Sequence, residues 1–195
     1  MNFLLVDHRD SFTRNLEHLL APFGETKVRD RLEPDLDEKA EQADLLVFSP
    51  GPGKPADYPE THALYQRWRG RKPILGICLG FQLMLEAEGA RIIRQKQVLH
   101  GVETELETLP DTLTYAGIEP PIRVGRYHSL QVAPDSLAAL PGSLAFTARD
   151  PIRDVPLSFE DRARALFGLQ YHPESFLTPQ GEAILSNLLK APRPA

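Results

Sequence analysis

A single cysteine lies where a predicted buried strand meets a predicted helix. Cys78 is the one cysteine in 195 residues, and Gly76 and Gly80 flank it in a Gly-x-Cys-x-Gly pattern. This pattern is typical of a nucleophile elbow in which cysteine replaces serine, since a sharp turn leaves little room for neighbouring side chains. The turn places the sulfur at a helix N-terminus, where backbone N–H groups and the helix dipole favour a thiolate. The pattern therefore predicts a nucleophilic cysteine, with a buried packing cysteine as the alternative.

A histidine and a carboxylate follow a second predicted strand, far along the chain from the cysteine. His172 ends this strand, Pro173 stiffens the exit and Glu174 lies two residues beyond the histidine. A thiolate nucleophile needs a base and later an acid, and an imidazole can serve as both. A carboxylate can hold the ring in the correct tautomer and stabilise its charged form. The three residues form a candidate triad, which only the fold can bring together; by itself, the His-Pro-Glu sequence would indicate a turn.

Alternating proline and glycine residues follow a third predicted strand. The sequence Ser-Pro-Gly-Pro-Gly begins at Ser49 and contains Gly51, Pro52 and Gly53. Such a stiff loop keeps its backbone amides accessible, and these amides, together with that of Leu79, could bind a developing oxyanion. The spacing of a phosphate-binding loop is absent. A structural proline-rich connection is the alternative.

The elements that must position these residues alternate between strand and helix up to about residue 90. Predicted strands cover 3–6, 25–29, 45–48 and 73–77, and predicted helices cover 12–20, 34–41, 60–69 and 80–88. This alternation favours an α/β fold with a doubly wound, mostly parallel sheet and helices on both faces. Ser11 is the expected cap of the first helix.

The second half of the chain has a different pattern. Strand-like segments at 102–107, 122–125, 144–148 and 165–170 follow one another and predict an antiparallel extension of the sheet. The last helix is expected at 177–189, with Thr178 as its cap and Pro179 at its first position. The tail, 191–195, is expected to be loose. Residues 1–195 are expected to form one domain.

Composition excludes several classes of function. The net charge is −5 and no basic run occurs, so nucleic acids and anionic membranes are poor partners. No apolar segment approaches the roughly 20 residues of a membrane span, and the N-terminal residues do not form a signal peptide. A lone cysteine suits a reducing compartment, so a cytoplasmic location is expected. No His, Cys or carboxylate spacing is typical of a metal site, and neither a metal nor an organic cofactor is expected.

Six short segments, in this order, give the chain a family resemblance. They are Asp10-Ser-Phe-Thr, Ser49-Pro-Gly-Pro-Gly, Leu75-Gly-Ile-Cys-Leu-Gly, His100-Gly, Arg126-Tyr-His-Ser-Leu and Gln170-Tyr-His-Pro-Glu-Ser. The chain resembles the class I (triad) glutamine amidotransferases, whose fold is flavodoxin-like. Within that family it is most similar to the glutaminase subunit, component II, of anthranilate synthase and aminodeoxychorismate synthase. The segments span nearly the whole chain.

The resemblance implies a role for specific residues. It implies that Cys78 is the nucleophile, His172 its base and Glu174 the orienting acid. It also implies a glutamine pocket lined by Gly51, Leu79 and Gln82, with the backbone of Ser129 and Leu130 at the amino-acid end of the substrate.

The resemblance further implies that the chain hydrolyses L-glutamine and passes ammonia to a chorismate-using synthase in a hetero-oligomer. Anthranilate synthase, in tryptophan biosynthesis, is the first expectation. Aminodeoxychorismate synthase, in folate biosynthesis, is the alternative, and one subunit could serve both. Two other classes remain open: a stand-alone γ-glutamyl cysteine hydrolase, and a non-catalytic subunit, whose triad would be incomplete.

Several positions depart from the family pattern. Phe81 stands where the family usually has histidine, Arg14 where it often has tyrosine, and Val102 where a polar residue is common. These departures are expected near the partner interface. The segment 156–165 fits the family poorly and is expected to be a variant loop.

Overall fold

A computed structural model describes residues 1–191 of the chain, and within them strands and helices alternate as far as α4. The helices are α1 (Thr13–Leu20), α2 (Leu36–Gln42), α3 (Pro59–Trp68), α4 (Leu79–Ala87) and α5 (Gly181–Leu189). The strands are β1 (Asn2–Asp7), β2 (Glu25–Asp30), β3 (Leu45–Phe48), β4 (Ile74–Ile77), β5 (Ile92–Arg94), β6 (Val102–Glu105), β7 (Glu107–Thr108), β8 (Arg123–Arg126), β9 (Leu130–Val132), β10 (Ala145–Asp150), β11 (Val155–Asp161) and β12 (Leu166–Leu169).

The main sheet has the strand order β2-β1-β3-β4-β12-β11-β10-β7. The strands from β2 to β12 in that order run parallel. The strands β11, β10 and β7 then pair antiparallel and extend the sheet. The predicted fold class, a doubly wound and mostly parallel sheet with an antiparallel extension, is confirmed.

Residues 3–6 of β1 and all residues of β3, β4 and β12 are buried and apolar or glycine, because both faces of the sheet are covered. Successive side chains point to opposite faces of a strand. In β1, Phe3 and Leu5 pack with helices α1 and α5, whereas Leu4 and Val6 pack with α2, α3 and α4. The same holds for β3, whose four residues are all buried, as the sequence predicted. The two cores hold β1, β3 and β4 in place; the proline-glycine loop follows β3, and Cys78 follows β4.

The direction of β12 differs from the sequence-based expectation. The segment 165–170 was expected to belong to an antiparallel extension, but β12 pairs parallel with β4, with Leu169 opposite Ile77. The reason is that β11 runs antiparallel to its neighbours, so the short turn after it returns the chain in the direction of the central strands. Apolar spacing carries no information on strand direction, and the expectation was therefore wrong.

A fully buried strand occupies most of the segment expected to be a variant loop. All seven residues of β11, Val155–Asp161, are buried, so the expectation of a loop at 156–165 was wrong. The loop was expected because the segment fits the family pattern poorly, and that fit says nothing about burial. The strand also contains polar residues, and each is hydrogen-bonded: Ser158 contacts the Thr147 and Tyr115 hydroxyls, Glu160 binds Thr114, and Asp161 binds Ser143 and Arg164. Buried polar groups are tolerated when they are hydrogen-bonded in this way.

Two other strand-like segments lie outside the main sheet. The segments expected at 102–107 and 122–125 contain β6 and β8, which pair with each other in a separate two-stranded ladder. A second such ladder joins β5 and β9. The end of the first segment forms part of β7, which pairs with β10 in the main sheet. The expectation of one continuous extension was thus wrong in this region.

Helix α1 begins one residue later than a cap at Ser11 would place it. Its N-terminal residue is Thr13, whose hydroxyl donates to Asp7 Oδ1 over 2.8 Å. The preceding turn is closed by Asp10, whose Oδ1 accepts the Phe12 amide over 2.8 Å. Ser11 therefore caps nothing, because a neighbouring carboxylate satisfies the turn.

Thr178 also has a role other than the expected one. Its hydroxyl donates to the carbonyl of His172 over 2.6 Å and accepts the amide of Gly125 over 2.9 Å. Helix α5 accordingly begins at Gly181, after a series of turns. Thr178 fastens the His172 turn to β8 instead of capping a helix. The tail prediction falls mostly on 192–195, which lie outside the described residues.

Within residues 1–191, no helix is both long enough and apolar enough to cross a membrane.

Gly80 provides a test of the packing around the elbow. A Cβ atom built on Gly80 would lie 2.5 Å from the backbone oxygen of Phe48, so α4 would have to move away from β3. We expect Gly80→Ala to lower the free energy of unfolding by about 1–3 kcal/mol in urea titrations. Gly142→Ala is the matched control, because no atom lies within 4 Å of its built Cβ, and it should change stability by less than about 0.5 kcal/mol. Equal losses in the two variants would contradict this packing.

Candidate active site

Cys78 sits between β4 and α4 in a backbone conformation that is rare for a residue with a side chain. Its φ is 52° and its ψ is −95°. The amide of Cys78 donates to the carbonyl of Leu169 over 2.8 Å, and its carbonyl accepts the amide of Gln82 over 3.1 Å. Backbone of this kind persists where the surrounding structure enforces it, often at functional sites. The sulfur is thereby held at the N-terminus of α4, as the glycine pattern predicted.

A glutamine from the neighbouring strand contacts the sulfur directly. Gln170 follows β12, and its Nε2 lies 3.7 Å from Cys78 Sγ. Its Oε1 accepts Gln82 Nε2 over 3.0 Å, so the amide is held with its N–H groups towards the sulfur. Such a donor can stabilise negative charge on the sulfur. Sequence reasoning gave Gln170 no role, although it stands two residues before His172.

His172 and Glu174 form a buried, hydrogen-bonded pair. His172 Nδ1 and Glu174 Oε1 are 2.7 Å apart, and the two side chains are 2% and 0% exposed. Because a carboxylate accepts, Nδ1 carries the hydrogen and Nε2 is left to face the site. Within the described residues Nε2 makes no well-aligned hydrogen bond. The rings of Phe12 and Tyr127 pack against the imidazole, with centroids at 4.8 and 5.1 Å.

The pKa values of the three buried histidines near the site, His8, His128 and His172, are shifted in different directions. Burial alone would lower the pKa of His172, but the charge of Cys78, hydrogen bonding with Cys78 and the carboxylate of Glu174 raise this pKa well above its ordinary value. By contrast, burial lowers the pKa of His8 to about 4 and that of His128 to about 3. Only His172 is therefore arranged to carry a proton at neutral pH.

A cavity of about 210 Å³ opens beside the cysteine. It brings together every residue predicted to line a substrate pocket, namely Gly51, Pro52, Gly53, Leu79, Gln82, Ser129 and Leu130, along with Cys78. Three further residues line it that sequence reasoning did not single out, which are Asp10, Tyr127 and His128. The sequence could have pointed to these residues, since all three fall within the short segments that carried the family resemblance.

The proline-glycine loop is held against the site by two residues from outside it. The ring of His8 lies between the hydroxyls of Ser49 and Thr61, at 3.0 Å from each. Tyr58 donates its hydroxyl to the carbonyl of Pro52 over 2.7 Å. A Cβ on Gly51 would lie 2.4 Å from the Leu79 side chain, so only glycine lets the loop approach α4 this closely.

The positions that depart from the family pattern do not share one environment. Arg14 is exposed and pairs with Glu17, and Val102 is 38% exposed. Phe81, however, is fully buried and packs against Phe159, with ring centroids 5.6 Å apart. Phe81 therefore offers no surface to a partner, because α4 turns this side chain into the core; the location of its segment near a partner interface stays a prediction.

Among residues 1–191, no three His, Cys, Asp or Glu side chains converge as metal ligands would.

Comparison with known proteins agrees with the geometry. A family model described as glutamine amidotransferase class-I matches residues 4–191. Anthranilate synthase component 2 of Lactococcus lactis is 37% identical over 95% of this chain and 92% of its own length. Aminodeoxychorismate synthase component 2 of Serratia marcescens is 38% identical over 95% of this chain and 98% of its own length.

A solved structure from Thermotoga maritima, described as a glutamine amidotransferase, shares the fold. Its TM-score is 0.74 at 17% identity, with 97% of this chain and 96% of that chain covered. At this identity the likeness concerns the fold alone. The resemblance inferred from the six short segments is confirmed.

The charge of His172 can be measured by NMR titration of the histidine ring protons. The midpoint for His172 should lie above 6.5, because Cys78 and Glu174 favour its protonated form. Glu174→Gln should lower that midpoint, because the carboxylate charge is removed. His8 and His128 serve as internal controls and should stay neutral from pH 5 to pH 8. A wild-type His172 that titrates with His8 and His128 at acidic pH would contradict this arrangement.

Proposed function

The chain belongs to the class I glutamine amidotransferase family, and on this basis we propose that it is a glutaminase subunit serving a chorismate-using synthase. The observation that carries the proposal is the arrangement of Cys78, His172 and Glu174 around one edge of the sheet, beside a cavity. L-glutamine is the proposed substrate, and ammonia is the product passed to the partner.

The reaction begins with attack of the Cys78 thiolate on the carboxamide carbon of glutamine. His172, protonated at Nε2, gives its proton to the departing nitrogen, so ammonia leaves and a glutamyl thioester remains. The imidazole, now neutral, takes a proton from water, whose oxygen attacks the thioester carbon. Glutamate is released, the thiolate is restored and the imidazole is again protonated. Glu174 keeps the hydrogen of Nδ1 in place throughout.

The developing oxyanion needs hydrogen-bond donors that are fixed in advance. The amide of Leu79 lies in the first turn of α4, where N–H groups have no partner inside the helix. The amide of Gly51 is the second proposed donor, since this residue lies against Leu79 and lines the same cavity. Loss of one such donor typically reduces the rate by about 10²–10³.

The remaining pocket residues are proposed to bind the substrate. Gln82 reaches towards the site from α4, and Ser129 and Leu130 form a wall of the same cavity as the proline-glycine loop. We assign this wall to the amino-acid end of glutamine. Pro52 and Gly53 complete the loop side of the cavity.

Two partner synthases are supported by the relatives. Anthranilate synthase is the first candidate, and the relative from Lactococcus lactis supports it. Aminodeoxychorismate synthase is the second, supported at nearly equal identity by the relative from Serratia marcescens. Adding the chain to each purified synthase and measuring glutamine-dependent product formation would distinguish them. A stand-alone γ-glutamyl cysteine hydrolase, in contrast, would turn over without either synthase.

No metal or organic cofactor is proposed for this subunit, because the thiolate supplies the nucleophile and the imidazolium supplies the acid. Nucleic acids and membranes are not proposed as partners, in keeping with the net charge of −5. A thiolate nucleophile must stay reduced to react, so we place the enzyme in the cytoplasm.

Replacement of the nucleophile tests the proposal. Cys78→Ala in the complex with the synthase should reduce glutamine-dependent synthesis to below about 10⁻³ of the wild-type rate, because the thioester cannot form. Synthesis from ammonium salts should be unchanged, and this activity serves as the control for assembly. If glutamine still supported synthesis in the variant, the nucleophile would have been assigned wrongly.

A further inference from the structure

Behind the cavity wall lies a buried chain of polar side chains that the proposed reaction does not use. Arg126 ends β8 and Asp150 ends β10, and both side chains are 0% exposed. One guanidinium nitrogen of Arg126, Nη1, pairs with Asp150 Oδ2. Another, Nε, donates to His128 Nε2 over 3.0 Å. His128 in turn contacts the carbonyl of Leu130 through Nδ1, over 2.7 Å.

The chemistry of the guanidinium determines the tautomer of His128. Arginine nitrogens can only donate hydrogen bonds, so His128 Nε2 must accept. The hydrogen of the neutral ring is then on Nδ1, which donates to Leu130. Burial, and next the charge of Arg126, lower the pKa of His128 to about 3, which agrees with this assignment. His128 is therefore not a second base, even though it lines the cavity with Cys78.

This series of hydrogen bonds ends at Leu130, in the backbone segment assigned to the amino-acid end of glutamine. The Leu130 carbonyl that His128 holds is also approached by Gln82 Nε2 at 3.4 Å. The carbonyl of Ser129 accepts the amide of Gln95 over 2.9 Å. Both residues line the cavity beside Cys78. These hydrogen bonds to the carbonyls of Ser129 and Leu130 thus set the position of the wall's backbone.

Stability alone gives little reason for this arrangement. A buried ion pair contributes little net stability compared with apolar residues of similar volume. Here the cost is higher, because Nη2 of Arg126 is buried without a hydrogen-bond partner in the described part of the chain. What an apolar pair could not supply is the donor that fixes the tautomer of His128.

We propose that Arg126 and Asp150 are positioning residues that act through His128 to fix the wall receiving the amino-acid end of glutamine. The inference rests on the proposed function, since it assigns that wall to glutamine. It predicts weaker glutamine binding when the hydrogen bonds between Asp150, Arg126 and His128 are disrupted. The reactivity of Cys78 itself should not change.

Arg126→Lys tests the inference, because lysine keeps a positive charge beside Asp150 but lacks the fork that reaches both Asp150 and His128. The rate of Cys78 alkylation by iodoacetamide is measured over a series of L-glutamine concentrations. The concentration that gives half-protection should rise about tenfold, as expected for loss of one buried hydrogen bond to a charged group. The alkylation rate without glutamine should stay within about twofold. In steady-state assays with the synthase, the KM for glutamine should rise while kcat changes little.

Arg123→Lys is the matched control, since Arg123 lies on the same strand but is exposed and 3.8 Å from Glu103. It should behave as the wild type. If Arg126→Lys fails to fold, Asp150→Asn replaces it. That variant keeps Oδ1, which accepts the amides of Ile152 and Arg153, but removes the charge that holds Arg126. The same rise in half-protection is expected.

The possible outcomes separate the two proposals. Protection equal to that of the wild type, in either folded variant, would overturn the positioning role. Alkylation that slows about tenfold in the absence of glutamine would also overturn the positioning role, because the effect would then lie at the sulfur. A wild-type Cys78 that glutamine does not protect at any concentration would instead contradict the proposed function.

Discussion

The parallel pairing of β4 with β12 is the constraint on which the site depends. Leu169 lies opposite Ile77, so the residues that follow each strand emerge at the same edge of the sheet. Had β12 run antiparallel to β4, His172 would leave the sheet at the opposite edge, roughly 10 Å or more from the sulfur. The site is therefore a consequence of strand direction, and β11 and β12 supply that direction by reversing the chain beside the central strands.

Burial is the second constraint, and it acts oppositely on different histidines. His8 and His128 are kept neutral by burial and hold the proline-glycine loop and the wall at Ser129 and Leu130; in each ring, both nitrogens take part in hydrogen bonds. His172 is equally buried, yet Cys78 and Glu174 favour its charged form. Negative charge is thus concentrated around a single imidazole. His172 thus differs from His8 and His128 in its partners and not in its exposure.

Local patterns predicted which residues lie around the cavity better than they predicted the architecture. The Gly-x-Cys-x-Gly and His-Pro-Glu sequences are visible because a sharp turn and a stiff strand exit require particular residues within a few positions. The strand at Val155–Asp161 was missed because a poor fit to the family pattern says nothing about burial; its polar residues are satisfied by partners distant in the chain. Ser11 and Thr178 were misassigned as caps for a related reason, since capping depends on which groups the fold brings near. The direction of β12 could have been deduced from the candidate triad, because His172 can approach Cys78 only if β12 runs parallel to β4.

The central claim is that the Cys78 sulfur forms a covalent bond to the carbonyl carbon of glutamine. The most direct measurement is peptide mapping by mass spectrometry after the complex with its synthase, turning over isotope-labelled L-glutamine, is quenched in acid at several times. A labelled glutamyl thioester is expected on the peptide that contains Cys78, and hydroxylamine should release it. Label attached to any other residue, or glutamate formed with no labelled peptide at any time, would contradict the assignment.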